Sequence, residues 1–344
     1  MAGSKKVAVV ILGWNGKKYL HDFLPSVIKN TPAELCEIIV ADNCSTDGSV
    51  EFVHQNYPQI RVIQNTRNGG YAGGYNDALK HVDAEYYVLL NQDIEVSEGW
   101  VEKVLVEMEK DPNIAAAQPK LRAYHERTHF EYAGASGGYV DMFGYAFCRG
   151  RMFDTIEEDR GQYDDVVDLF WATGACLFVR SKDYWEAGAL DEDFFAHHEE
   201  IDLCWRMRNR GKRIIVVPQA VVYHVGGGSL PQGNPRKTYL NFRNNLMMLF
   251  KNLPASQLWW KMLIRFRLDE VAALQSIIIH RNIADVRAII KARLAFYAAL
   301  PKLLKKRNDI PVKQSNLLYN KSIIWQYFVA GKTKFSQLAK PPKG

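Results

Sequence analysis

The chain has 344 residues, 47% of them hydrophobic and 24% charged, with 44 Lys and Arg against 38 Asp and Glu for a formal net charge of +6. At roughly 150 residues per domain this length predicts two domains, or one large α/β domain with an appendage, and the apolar and aromatic content excludes disorder and collagen-like repeats. The charge is divided: residues 231–344 hold 21 Lys and Arg but only four acids (Asp269, Glu270, Asp285, Asp309), so +17 there offsets −11 over residues 1–230, and the two parts are expected to do different jobs.

Five scattered cysteines, Cys36, Cys44, Cys148, Cys176 and Cys204, lack a CxxC pair or zinc-ligand spacing, which predicts reduced thiols in a cytoplasmic protein. Lys5 and Lys6 precede the apolar run Val7 to Leu12, but six apolar residues are too few for a signal-peptide core, and the run reads as a first buried strand. No stretch reaches the roughly 18 apolar residues of a membrane span, so any membrane contact is expected to be peripheral.

From residue 7 to about 120, apolar runs at 7–14, 37–43, 60–65, 86–93 and 114–120 alternate with helical stretches at 17–30, 49–55, 74–81 and 99–110. Strands apolar on both faces and alternating with helices predict a mainly parallel sheet covered on both sides. Ligands of such sheets bind at the carboxyl ends of the strands, which directs attention to Asn15, Asp42, Asn65 to Asn68, and Asn91 to Asp93. The Gly- and Tyr-rich stretch 121–168 predicts loops over that edge. Residues 169–180 read as a strand, 199–210 as a helix closed by Gly211, and 214–224 as a strand ending in a glycine-rich turn. Beyond a boundary near residue 230, segments 236–252, 257–280 and 284–306 have helical apolar spacing with Lys and Arg on their other faces.

Five clusters carry possible chemistry. ADNCSTDGS at 41–49 ends a strand with Asp42 and follows it with Ser45 and Asp47; such a carboxylate can accept hydrogen bonds from a ribose or a pyrimidine, or simply cap the next helix. The loop 65–78 has four glycines in six residues at the start of a helix, allowing backbone N–H groups close approach to an anion. In YYVLLNQDIEV at 86–96, strand alternation puts Asn91 and Asp93 on one face, and a strand-end Asp suits a hard divalent cation or a plain turn. Six acids crowd Asp191 to Asp202, a density that suits a cation or a carboxylate base, or a solvated face in which Asp202 pairs with Arg206. Finally, His224 ends a strand, as a ligand or a structural histidine.

In this order and spacing the clusters resemble the family 2 glycosyltransferases of GT-A fold, most closely the branch that builds bacterial cell-surface polysaccharides and includes rhamnosyltransferase-like enzymes. The resemblance rests on WNG at 14–16, DNCSTDGS at 42–49, NGGYAGGYN at 68–76, NQD at 91–93, GACLFVR at 174–180, LDEDFFAHHEEIDLCWR at 190–206 and the late His224, and it extends to RKTYLNFRNNLMML at 236–249. It implies an α/β GT-A catalytic domain over 1–230, with a donor-binding half (1–120) and an acceptor half (121–230), followed by a basic α-helical region over 231–344. The implied reaction is inverting sugar transfer from a nucleotide-diphospho-sugar, a UDP-hexose or dTDP-rhamnose, to a glycan acceptor. Asn15, Asp42, Ser45, Asp47, Asn68, Gly70, Gly73, Asn76, Asn91 and Gly174 would bind the donor, and Asp93 and His224 would hold Mg²⁺ or Mn²⁺. Glu200, or its neighbour Glu199, would be the base, with Asp202 and Arg206 orienting their helix. This chain departs from the family pattern at Gly13, where relatives often carry a polar residue, at Asn91, which replaces the first acid of the metal motif, and at Glu199-Glu200, which replaces Glu-Asp.

Segments 257–268 and 286–307 mix Trp, Phe and Leu with Lys and Arg, a composition suited to the inner membrane surface and so to a lipid-linked acceptor, or to packing against the catalytic domain or a second subunit as a homodimer. A nucleic-acid partner is not expected, because no recognition module accompanies the basic tail. A nicotinamide dehydrogenase is disfavoured because the first turn, GWNGKK, lacks GxGxxG. A catalytically silent glycosyltransferase-like protein remains the alternative.

Overall fold

The computed structural model describes residues 5–226, 233–279, 281–310 and 316–339. Its central feature is a nine-stranded mixed sheet. Strands β1 (Val7–Gly13), β2 (Cys36–Asp42), β3 (Arg61–Gln64) and β4 (Tyr86–Asn91) run parallel in the order β4-β1-β2-β3. Helices α1 (Lys17–Asn30), α2 (Ser49–Asn56) and α3 (Gly70–Leu79) make the crossovers between them. β1 is apolar on both faces and almost wholly buried, which is why parallel pairing with helices on either side suits it.

After β5 (Ile94–Val96) and α4 (Trp100–Glu109), the sheet continues through β6 (Ile114–Ala123). Farther along the chain, β12 (Cys176–Arg180) runs antiparallel between β4 and β6, and β13 (Arg213–His224) pairs in parallel with β6. This register gathers one functional edge: Gly13 lies beside Asp42, Leu12 beside Asn91, and His224 beside Ile94 and Ala123. Because β12 runs the other way, Gly174 and Ala175 at its start lie on that same edge, where the Ala175 carbonyl accepts from Asn91 N at 2.9 Å.

Several expectations from sequence are corrected. Residues 121–168 are not only loops. They contain a four-stranded antiparallel sheet, β7 (Gly138–Val140), β8 (Ala146–Cys148), β9 (Arg151–Met152) and β10 (Thr155–Ile156), and β11 (Val167–Asp168) joins the main sheet beside β13. Of 169–180 only Cys176–Arg180 is strand, because Thr173 N and Oγ1 turn aside to Gln118 Oε1 and the Ala133 carbonyl. Helix α3 starts at Gly70 rather than Gly74. Strand β4 stops at Asn91, so Asp93 sits in the turn before β5 rather than on a shared strand face with Asn91.

Helices α5 (Ser181–Glu186) and α6 (Glu199–Asn209) are followed by α7 (Pro235–Asn252), α8 (Ala255–Ile278) and α9 (Ile283–Asn308). The expected boundary near residue 230 lies outside the described residues. On either side of it the apolar core is continuous: Leu246 to Phe250, Leu258, Met262, Phe296 and Leu303 belong to the same buried cluster as Phe170, Trp171, Leu203 and Trp205. The last segment lies along the small sheet, with Tyr319 N donating to the Val140 carbonyl and Ile323 N to Asp141 Oδ2.

Candidate functional site

The loops after β1 and β2 are stitched together. Asn15, held at φ 48°, accepts from Thr46 N at 2.8 Å and gives its own N–H to Ser45 Oγ. Asp42 is buried and accepts from Ser45 N. Asp47 uses both carboxylate oxygens locally, one on Lys17 N at the start of α1 and the other on Ser49. Burial pushes its carboxyl up, but the bonds from Ser49 and Lys17 outweigh this and hold it below the usual carboxylate range. Asp47 thus shapes the turn, whereas Asp42 makes one bond to it and stands at the strand end.

Asn43, which sequence reasoning passed over, joins this turn to the glycine loop. Its Nδ2 donates to the Gly70 carbonyl (2.9 Å) and Asn68 Oδ1 (3.1 Å), and its Oδ1 accepts from Gly69 N. Gly70 has φ 69° and Phe195 packed where a Cβ would be, so no other residue fits the turn without strain. Gly73 faces Glu192, and Asn76 is spent inside the fold, donating to the Leu190 carbonyl and accepting from Tyr184 Oη and Leu190 N. Gly174 also has a steric reason, since a Cβ there would come within 2.8 Å of Tyr71 Oη, which donates to the Gly174 carbonyl. Gly13 is explained in the same way: Gln92 Oε1 lies 2.9 Å from where its Cβ would be.

Asp93 and His224 meet at the sheet edge, Oδ1 to Nε2 at 3.3 Å, with Asn91 Nδ2 3.5 Å from the same ring nitrogen. On the other side Glu131 Oε1 lies 3.3 Å from His224 Nδ1. Burial alone would lower the imidazole pKa, but the two carboxylates lift it to about 10. Asp93 is likewise pushed up by burial but held below its ordinary value by His224. Neighbouring ligands of an octahedral Mg²⁺ at about 2.1 Å are about 3.0 Å apart, so the Asp93–His224 spacing fits two ligands of one divalent cation. Among the described residues no group of three or more His, Cys, Asp and Glu could hold a metal; a cation here would take its remaining ligands from diphosphate and water, as Mg²⁺ commonly does. Glu131 is the group sequence reasoning missed. Its only signal was an acid in the stretch expected to cover the edge.

The second carboxylate pair begins α6. Glu199 and Glu200 each leave one oxygen buried and without a hydrogen-bond partner among the described residues. Glu199 is buried, and desolvation together with the charge of Glu200 pushes its carboxyl well above the usual range. Glu200 keeps some solvent contact, and burial raises it only to about 7. Burial weighs more heavily on Glu199 than on its neighbour, and environments that separate two acids in this way favour the less burdened one, Glu200, as the group able to take a proton.

What presents this pair is a strained loop. Phe195, His197 and His198 have φ of 65°, 72° and 71°, and His197 Nε2 and His198 Nδ1 are buried without partners among the described residues. Asn244 of α7, fully buried, clamps the loop by donating from Nδ2 to the carbonyls of Phe194 (2.9 Å), Ala196 (2.8 Å) and His197 (2.7 Å). Arg243 adds bonds to the carbonyls of Asp193 and Phe194, and the Phe195 carbonyl accepts from Tyr71 N and Ala72 N at the start of α3. Asp202 and Arg206 lie deeper. Asp202 Oδ2 receives Arg206 Nε (2.9 Å) and Lys251 Nζ (2.8 Å), while Arg206 also reaches the Ala187 and Ala189 carbonyls. They fix α6 in place and make no bond to Glu199 or Glu200.

Residues 8–172, which include the glycine-rich helix start and Asp93, match Glycosyl transferase family 2. The chain carries a family 2 glycosyltransferase domain. This glycosyltransferase is 24% identical over 289 residues, 80% of its length and 92% of the relative's, to an N-acetylglucosaminyl-diphospho-decaprenol L-rhamnosyltransferase of Mycobacterium tuberculosis. It is also 24% identical to the rhamnosyltransferase WbbL of Escherichia coli, over 63% of this chain and 83% of that one. Its fold is shared with the crystal structure of GalNAc-T7 with UDP, GalNAc and Mn²⁺, at a TM-score of 0.60 and 16% identity, the match spanning the whole chain and 60% of that structure. The fold is therefore GT-A, with C-terminal helices added.

Proposed function

We propose that this glycosyltransferase moves a sugar, with inversion at the anomeric carbon, from a UDP-hexose or dTDP-rhamnose to a hydroxyl of a lipid-linked glycan in cell-surface polysaccharide synthesis, on the cytoplasmic side of the membrane. The observation that carries this reading is the carboxylate pair at the start of α6, Glu199 and Glu200, each with one buried oxygen that has no partner among the described residues and each pushed up by burial. The similarity to a rhamnosyltransferase whose name specifies a diphospho-decaprenol acceptor supports the acceptor class.

In this mechanism Asp42 and the 68–76 loop hold the nucleoside and order the diphosphate. Asp93 and His224 would hold Mg²⁺ or Mn²⁺, which when bound neutralises charge on the departing diphosphate. Glu200 takes the proton of the acceptor hydroxyl as its oxygen bonds to the anomeric carbon and the bond to the diphosphate breaks, releasing a nucleoside diphosphate. General-base help of this kind contributes about 10²- to 10⁴-fold. Glu200→Gln is expected to keep the thermal shift given by the nucleotide-sugar while turnover falls by about that factor; turnover near wild type would remove Glu200 from the role. EDTA is expected to abolish transfer, and a full rate in EDTA would remove the metal.

A further inference from the structure

Helix α8 is built inside out. Its body-facing side buries Lys261, Arg265 and Asp269 along with Leu258 and Met262. Its opposite side exposes Trp260, Leu263, Val271, Leu274 and Ile278, the last 73% exposed. With about 100° of rotation per residue, these five positions fall on one stripe across the helix from the buried face. Helix α9 repeats the pattern: Ile283, Ile290, Leu294, Tyr297 and Leu304 are exposed at spacings of seven, four, three and seven.

The two stripes lie on the same side. Phe266 meets Phe296 and Tyr297, and Glu270 pairs with Arg293, so the helices pack as an antiparallel hairpin. In each helix the exposed stripe is offset from these partner-facing residues by roughly a quarter turn in the same rotational sense. In an antiparallel pair that offset turns both stripes to one face. The hairpin turn adds exposed Ile279, and Trp259, 74% exposed, flanks the face near the start of α8.

Exposed Arg267 stands on this face, and exposed Arg281, Arg287, Lys291 and Lys305 border it. Residues 255–308 contain eleven Lys and Arg against three acids, and of the acids Asp269 is buried while Glu270 is already paired with Arg267 and Arg293. No described helix is long and apolar enough to cross a membrane. We infer that the outer face of the α8–α9 hairpin docks on an anionic lipid surface, its Trp, Leu and Ile entering the interface and its Arg and Lys meeting the headgroups. A second copy is the poorer occupant, since each face would bring its own border of Arg and Lys while Glu270 beside it is already paired.

Docking would carry the site with it, because Lys302 and Lys306 of α9 bond Asp191 and Asp193 just ahead of the loop that presents Glu200. The inference goes beyond the sugar-transfer reading, and its test needs no turnover. The full chain is sedimented with vesicles of phosphatidylcholine alone or mixed with phosphatidylglycerol, at low and high salt, beside a Leu274→Glu, Ile278→Glu, Leu294→Glu triple variant. These residues are exposed, so the variant is expected to keep its circular-dichroism melt. The expected result is salt-sensitive binding only to the phosphatidylglycerol vesicles, weakened at least tenfold in the variant. Failure of the wild type to bind at low salt overturns the inference, as does equal binding by the variant. So does a dimer, seen by sedimentation velocity, that the same substitutions abolish in a chain that ignores vesicles.

Discussion

Asn244→Ala is the most informative single change. The amide has two N–H groups for three carbonyls at 2.7–2.9 Å, so it makes two strong bonds at a time. The Phe194 carbonyl keeps Arg243 and Ala196 N, but the partly buried Ala196 and His197 carbonyls lose this donor at about 1–3 kcal/mol each, roughly 2–6 kcal/mol together. The loop it clamps holds three non-glycine residues at positive φ, at about 1–2 kcal/mol each. Support and strain are thus of similar size, and without Asn244 the loop is expected to relax toward ordinary backbone, moving Glu200 off line. A misplacement of about 1 Å costs on the order of 10² in rate. The expected outcome is a kcat lowered about 100-fold with the donor KM changed little, and a lower melting temperature. Asn245→Ala is the control: Asn245 is equally buried but bonds the Gly144 carbonyl, away from the loop, so it should lose stability and keep kcat. If Asn244→Ala melts lower yet keeps kcat within threefold, the clamp does not position the base.

The transfer rate should rise with pH through about 7, because the burial-raised Glu200 must lose its proton before it can act as base; a flat profile from pH 5 to 8 would count against it. Glu131→Gln is expected to weaken Mn²⁺ binding in the presence of UDP by about 10- to 100-fold, measured by calorimetry, since it removes the carboxylate that orients His224. Lys251→Met should destabilise by about 1.5–3 kcal/mol in urea unfolding at neutral pH, because it removes a charged hydrogen-bond donor shared by Asp191 and Asp202 while Lys306 and Arg206 still pair them.

Strands β1, β2, β4 and β13 were legible because each is an apolar run ending in a polar residue, and a parallel sheet needs both properties. Asp42 and His224 stand where the strand pattern places them, at strand ends, whereas Asp93 falls in the turn two residues past β4. The small sheet was not legible, since strands of two or three residues such as Arg151–Met152 give no periodicity to read. Glu131 was hidden because its partner is 93 positions away along the chain, and Arg243 and Asn244 look like ordinary polar positions on a helix. Helix α8 shows the limit most clearly: spacing reveals an apolar stripe, but the default is to turn it inward, whereas the fold turns Lys261, Arg265 and Asp269 inward instead.

The buried cluster that unites Leu246 to Phe250 with Trp171 and Trp205 means that this enzyme cannot be treated as cassettes. Cutting the chain ahead of α7 would remove the Asn244 clamp on the loop before α6 as well as the hairpin, so a fragment ending there should be inert and aggregation-prone. Acceptor preference would not transfer to another glycosyltransferase by grafting the C-terminal helices alone. The graft would have to bring the 191–198 loop and the β7–β8 hairpin, the surfaces against which those helices pack.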